Sequence, residues 1–117
     1  MYNVTNKNIT LTQYNNAELC VNQYLQDYVL TGTDKLILTV KGNVNSMNVL
    51  IKKELTATDY DANNKLYFRF VPSDTQYLQP FEYCYDVALY THDGVFRTVI
   101  DESIFKVVPS VTEYPVI

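Results

Sequence analysis

The side chains best suited to chemistry in this chain are two cysteines, Cys20 and Cys84, one histidine, His92, and the acid- and amide-rich run Asp59-Tyr60-Asp61-Ala62-Asn63-Asn64. A cysteine separation of 64 residues is in the range that staples the two sheets of a β-sandwich. Phase argues against such a bridge here. Cys84 alternates in step with Glu82 and Asp86, while Tyr83, Tyr85, Val87 and Leu89 take the apolar phase, and Leu19 and Val21 do the same around Cys20. No tryptophan is available to pack on a bridge, and no tyrosine stands two residues before Cys84. Two free thiols are expected, as suits a reducing compartment. Neither is expected to be a nucleophile, because His92 falls in a predicted hairpin turn and not beside a thiol.

Oxygen ligands at alternate positions are how the first half of an EF-hand loop wraps calcium, and the run from Asp59 has that alternation. Its second half is missing. The sixth position is Asn64 where glycine is required, and the twelfth is Phe70 where glutamate is required. A solvated turn rich in Asx residues is the expectation. Elsewhere the acids are scattered, with no pair spaced for general acid and base work, and serine is sparse. No catalytic, cofactor-binding or metal-ligating residue is assigned, no cofactor is expected, and the chain reads as a non-enzyme.

The remaining candidates are the tyrosines, which number 11. Tyrosine offers a large, rigid, amphipathic contact area. Tyr83 and Tyr85 are in core phase, whereas Tyr67 and Tyr90 are in outward phase. Tyr14, Tyr24, Tyr28, Tyr60 and Tyr77 fall near turns or strand ends. Exposed tyrosines mark an interface or simply cover sheet faces. Tyr67 and Tyr90 are also the pair on which a sugar ring would stack, which keeps a carbohydrate-binding or adhesion module as the alternative reading.

The elements that position these residues are strands. Leu36, Leu38 and Val40, then Leu66, Phe68 and Phe70, then Tyr83, Tyr85, Val87 and Leu89, then Phe105 and Val107 all recur at period two. Lys35, Thr39 and Lys41, Lys65, Tyr67 and Arg69, and Glu82 and Asp86 stand between them as a solvent face. Thr31-Gly32-Thr33-Asp34, Lys41-Gly42-Asn43 and Asp61-Ala62-Asn63-Asn64 punctuate the strands, and His92-Asp93-Gly94 is the strongest hairpin signal. That signal predicts residues 82–91 pairing with residues 95–100, then an Asp101-Glu102 turn and a separate strand over residues 103–108. Pro72-Ser73-Asp74-Thr75-Gln76-Tyr77-Leu78 breaks the period, predicting one short helical turn near residues 73–78, capped by Ser73 or Asp74, with Leu78 plugging the sandwich end. The fold expected is all-β: a single immunoglobulin-like antiparallel β-sandwich over residues 1–117, with about seven or eight strands.

Length and composition agree. A chain of 117 residues suits one domain with a sizeable core. Nearly half its residues are apolar, with 3 glycines and 4 prolines, so it should fold without staples. A net charge of −4 with dispersed lysines and arginines excludes a nucleic-acid surface. No apolar run approaches a membrane span, and the N-terminal residues carry no export signal. Asn3-Val4-Thr5 and Asn8-Ile9-Thr10 fit the glycosylation pattern but are expected to stay unmodified.

The order of these motifs resembles that of small phage and prophage virion proteins. In that group a Phe-rich strand leads into a Pro-x-Asp-Thr corner, a Tyr-x-Tyr-Asp strand, a glycine turn and a closing Phe-x-Val strand ending near Val-Thr. Here the matching runs are Asp34 to Lys41, Leu50 to Leu55, Phe68-Arg69-Phe70, Pro72-Ser73-Asp74-Thr75, Tyr83-Cys84-Tyr85-Asp86, Asp93-Gly94, Phe105-Lys106-Val107 and Val111-Thr112. The likeness spans roughly two-thirds of the chain and is weaker before residue 30, where Ile9-Thr10-Leu11-Thr12 is similar to the usual opening strand. Gln79-Pro80-Phe81-Glu82 departs from the group, whose members carry a glycine before the Tyr-x-Tyr-Asp strand. The resemblance implies an immunoglobulin-like structural or accessory part of a phage particle or prophage-derived tail or baseplate, and no catalytic residues to carry over.

The partners implied are other virion or tail subunits or further copies of the chain, with neither nucleic acid nor membrane, and a glycan under the alternative reading. The location implied is the virion, or the bacterial cytoplasm before assembly. Edge-strand pairing is the expected mode of assembly. The apolar tail Val108 to Ile117, held extended by Pro109 and Pro115, docks on a neighbour or folds back over its own sandwich.

Overall fold

The computed structural model describes the backbone of residues 2–5 and the whole of residues 7–112. Alternating sequences become strands: β1 (Tyr2–Thr5), β2 (Asn8–Thr12), β3 (Ala17–Cys20), β4 (Lys35–Lys41), β5 (Ile51–Thr56), β6 (Tyr67–Phe70), β7 (Phe81–Tyr90) and β8 (Phe96–Val108). One helical turn, α1 (Pro72–Thr75), and two 3-10 turns, Asn22–Leu25 and Ala57–Asp59, complete the described elements. The strands β2-β8-β7-β4-β5 make a curled sheet to which β1 adds at the β2 edge, and β3 and β6 form a two-stranded ribbon. The chain is thus mostly β.

The large sheet and the ribbon face each other across one core. Leu36, Leu38, Val40, Tyr85, Val87, Leu89, Phe105 and Val107 from the large sheet meet Leu19, Phe68 and Phe70 from the ribbon. Phe70 and Phe105 are in ring contact, with centroids 5.4 Å apart, and Tyr85 meets Phe105 edge-on at 6.3 Å. All the inward phases read from alternation are buried.

Four expectations are corrected. The large sheet is mixed, not antiparallel, because β2 runs parallel to β8, Ile9 opposite Phe105 and Thr12 opposite Val108. Nearly the whole chain lies between these two strands, so the long crossover that parallel pairing needs comes without cost. The predicted break at Asp101-Glu102 is absent, and β8 runs through it as one strand. Neither residue supplies a positive φ or removes a donor, so the ladder absorbs the extra residues as register shifts between Tyr85 and Val87 and between Val87 and Ala88. The helical turn starts earlier than expected, at Pro72, whose fixed φ suits a first helical position. Its capping acid is Asp74, used from within the turn, with Oδ2 accepting from Val71 N at 2.8 Å. Finally, a strand at Tyr2–Thr5 was not expected.

The hairpin at His92-Asp93-Gly94 forms as expected. Thr91 N donates to Val95 O at 2.8 Å, and Gly94 takes φ +88°, a left-handed conformation open to glycine at little cost. Leu78 packs against the core edge as foreseen. The expectations for Asn3-Val4-Thr5 side chains and for the tail beyond Thr112 lie outside the described residues. Asn8 has a structural task, its Oδ1 accepting from Ile104 N at 2.9 Å.

Candidate functional site

One end of the fold gathers the polar chemistry. There the connection from β3 to β4, the segment from Thr56 to Lys65 and the β7–β8 turn converge. At the centre is Asp34, with 0% exposure. Its carboxylate accepts from Tyr28 Oη at 2.6 Å, Thr31 N at 3.0 Å and His92 N at 2.6 Å, and lies 2.9 Å from His92 Nδ1. Burial pushes the Asp34 carboxyl upward, but these hydrogen bonds from Tyr28, Thr31 and His92 outweigh it and hold the group well below the usual carboxylate range. Asp34 is therefore a buried anion. Sequence punctuation marked it as a turn residue; the signal for more was its place three residues after Thr31, the spacing at which an Asx side chain reaches back to a backbone N–H.

The third segment joins through Tyr60, whose hydroxyl accepts from Leu30 N at 3.0 Å. The run from Asp59 to Asn64 is spent on nearby backbone. Asp59 Oδ2 accepts from Thr56 N at 2.7 Å, and Asp61 Oδ1 accepts from Asn63 N at 2.8 Å and Lys65 N at 2.9 Å. Asn64 turns left-handed at φ +60° to close the turn. Carboxylates committed in this way shape a loop.

Beyond the hub, β7 and β8 continue as an arm. Phe96 is 63% exposed, Tyr90 47% and Val95 45%, and the Tyr90 and Phe96 rings meet edge to face at 6.4 Å. Phe96, Arg97 and Thr98 are exposed in succession, so both faces of β8 are open here. Arg97 reaches back over the Tyr28 ring, 5.9 Å from its centroid. Tyr67 and Tyr90, the proposed sugar platform, lie on different sheets, and Arg69 sits 5.7 Å over the Tyr67 ring.

The two cysteines are free and lie on the outward sides of different sheets. Cys84 lines a cleft of about 180 Å³ with Lys41, Val44, Asp86 and Glu102. Its Sγ lies 3.5 Å from Lys41 O. Burial, then the nearby Glu102 charge, pushes the thiol pKa up, so the sulfur is held in its poorly nucleophilic form. Burial likewise raises Asp86, with Lys41 opposing and Glu102 adding to the rise. His92 is engaged with Asp34 and not with a thiol. Among the described residues no group of three acids, histidines or cysteines is arranged to hold a metal ion, and no helix is long and apolar enough to cross a membrane.

No protein-family model and no curated sequence matches this chain.

Proposed function

We propose that the chain is an immunoglobulin-like sandwich serving as a non-enzymatic structural or accessory part of a phage or prophage-derived particle. It acts by contact with other virion or tail subunits or with its own copies, in the virion or in the bacterial cytoplasm before assembly. The observation that carries the assembly reading is the β7–β8 arm, where three large apolar side chains, Tyr90, Val95 and Phe96, stand exposed together. Aromatic anchors of this kind dominate protein interfaces.

The edges support the arm as the place of contact. β5, at one edge of the large sheet, carries Lys52, Lys53 and Glu54, the charges that blunt an edge strand. From Phe96 to Ser103, β8 has β7 on one side and no strand on the other among the described residues, because β2 reaches only Phe105 to Val108. The regular part of that open edge, Phe96 to Thr98, is where strand addition fits.

Support for the immunoglobulin-like half comes from strand order and one hydroxyl. β3 pairs with β6 while β4, β7 and β8 share the other sheet, as B with E and C, F and G do in that fold. Near the start of β7, Tyr83 Oη donates to Gln79 O at 2.6 Å, the bond of a tyrosine corner. Two residues on, where a disulfide cysteine would stand, Tyr85 fills the core. Tyr83→Phe keeps the ring and loses this bond, and is expected to lower unfolding free energy by about 1 kcal/mol in a urea titration.

Light scattering across a concentration series, under reducing conditions, tests the assembly reading. A defined oligomer is expected, and Phe96→Ser should raise the concentration needed for it by about tenfold or more, as loss of an aromatic anchor does. A monomer at every concentration would remove self-assembly and leave contact with a different chain. An oligomer indifferent to Phe96→Ser would place the contact elsewhere.

A further inference from the structure

We infer that Asp34 and His92 form a proton-operated clasp between the β3–β4 connection and the β7–β8 turn, so that deprotonation of His92 loosens the arm that carries Tyr90, Val95 and Phe96. The geometry is that of a hinge pin. Asp34 is fully buried in the first segment, and the turn it holds is otherwise exposed from His92 to Gly94. Two contacts cross between them, the His92 N–H and the His92 ring, both to Asp34 Oδ1. The backbone bond persists at any pH that leaves Asp34 ionised. The ring contact does not keep its strength, because an imidazolium adds an attraction of opposite charges that a neutral imidazole lacks.

The surroundings keep the titration with His92. Asp34 approaches from the first segment, with Tyr28 bonded to its other oxygen. Asp93 lies on the turn itself and is occupied by the Thr91 hydroxyl. Arg97 on β8 stands over Tyr28. Gly32 packs beneath, where a Cβ would lie 3.8 Å from His92 Cβ and Cγ. The hydrogen bond and charge of Asp34, with a smaller contribution from Asp93, raise the His92 pKa above its ordinary 6.5 against the effect of burial. A raised folded value means that the clasp is at full strength below the unfolded pKa and is lost as pH rises through the folded one.

Hydrogen exchange at single amides tests this, with rates corrected for intrinsic pH dependence. Between about pH 5.5 and about pH 8.5, spanning the ordinary histidine range, opening of the Gly94 and Val95 amides is expected to rise roughly two- to fivefold, the effect of an exposed ion pair. Leu38 and Val87 in the central strands should show no such change. His92→Gln, at an exposed position, should flatten the pH profile of the turn and leave the core amides protected. An NMR titration of the ring in the unaltered protein gives the second readout. The clasp is overturned if His92→Gln leaves the profile unchanged, or if the ring titrates at its ordinary value.

Discussion

Replacing Asp34 with alanine is expected to lower the unfolding free energy by about 3 kcal/mol, among the largest losses available to a single polar substitution here. The reason is what remains. Thr31 N and His92 N both donate to a carboxylate with 0% exposure, and without it these partly buried groups lose their acceptor. A buried donor without a partner costs its full desolvation. The Tyr28 hydroxyl and the His92 ring lose their partner as well, so two segments come apart at once. Asp34→Asn separates shape from charge. The amide keeps one acceptor but offers N–H groups to donors, so about half the loss is expected to remain. Chemical denaturation of both variants measures this, and a loss below about 1 kcal/mol in the alanine variant would mean that the hub holds little.

The same carboxylate sets the acid limb of stability. Its folded pKa is depressed below the unfolded value of 3.8, so its contribution is complete above that value and is lost as pH falls through the folded pKa. His92 has the opposite sign, with a contribution complete below 6.5 and lost as pH rises through its raised folded value. Between about pH 4 and pH 6.5 both are present in full. The stability difference between the unaltered protein and Asp34→Ala is therefore expected to be widest in that window, to narrow modestly on the alkaline side and to narrow strongly only in harsh acid.

What the sequence disclosed was governed by how local the cause is. Leu36, Leu38 and Val40 announce their strand because burial of one sheet face imposes a period of two, and every inward residue of β4, β6 and β7 was legible in that way. His92-Asp93-Gly94 disclosed its turn because glycine there meets a conformational need. The parallel union of β2 and β8 was not legible, since period two fixes which face a residue takes but not which neighbour its strand finds. Asp34 was read as turn punctuation, because burial of a carboxylate depends on Tyr28 and His92 arriving from elsewhere. The polarity of Asp101 and Glu102 predicts a turn where β8 is merely irregular, because polar residues without glycine or proline do not stop a ladder. The exposed arm was half legible. Tyr90 was placed outward by phase, but Phe96 shares that outward face because it stands opposite Tyr90 across the hairpin, a pairing set after the register shifts in the ladder, which only the fold determines.

Phe105→Ala is expected to destabilise the fold by about 3–5 kcal/mol, and the position shows why the two sheets need each other. Phe105 has 0% exposure and stands where three strands meet: β8 itself, β7 through Tyr83 opposite, and β2 through Ile9 opposite. Across the core its ring meets Phe70 of the ribbon. A two-stranded ribbon is marginal alone and depends on such contacts for its stability. Removing the ring opens a cavity bounded by strands on both sides, which limits how far the walls can collapse. Phe105→Leu retains much of the volume and is expected to cost about half as much. Urea titration gives the totals, and hydrogen exchange separates their origin. If the ring chiefly fastens the ribbon, the Phe68 and Phe70 amides should lose protection before those of Leu38 and Val87. Equal loss at all four would instead make the two sheets one cooperative unit, with Phe105 no more than a large member of a shared core.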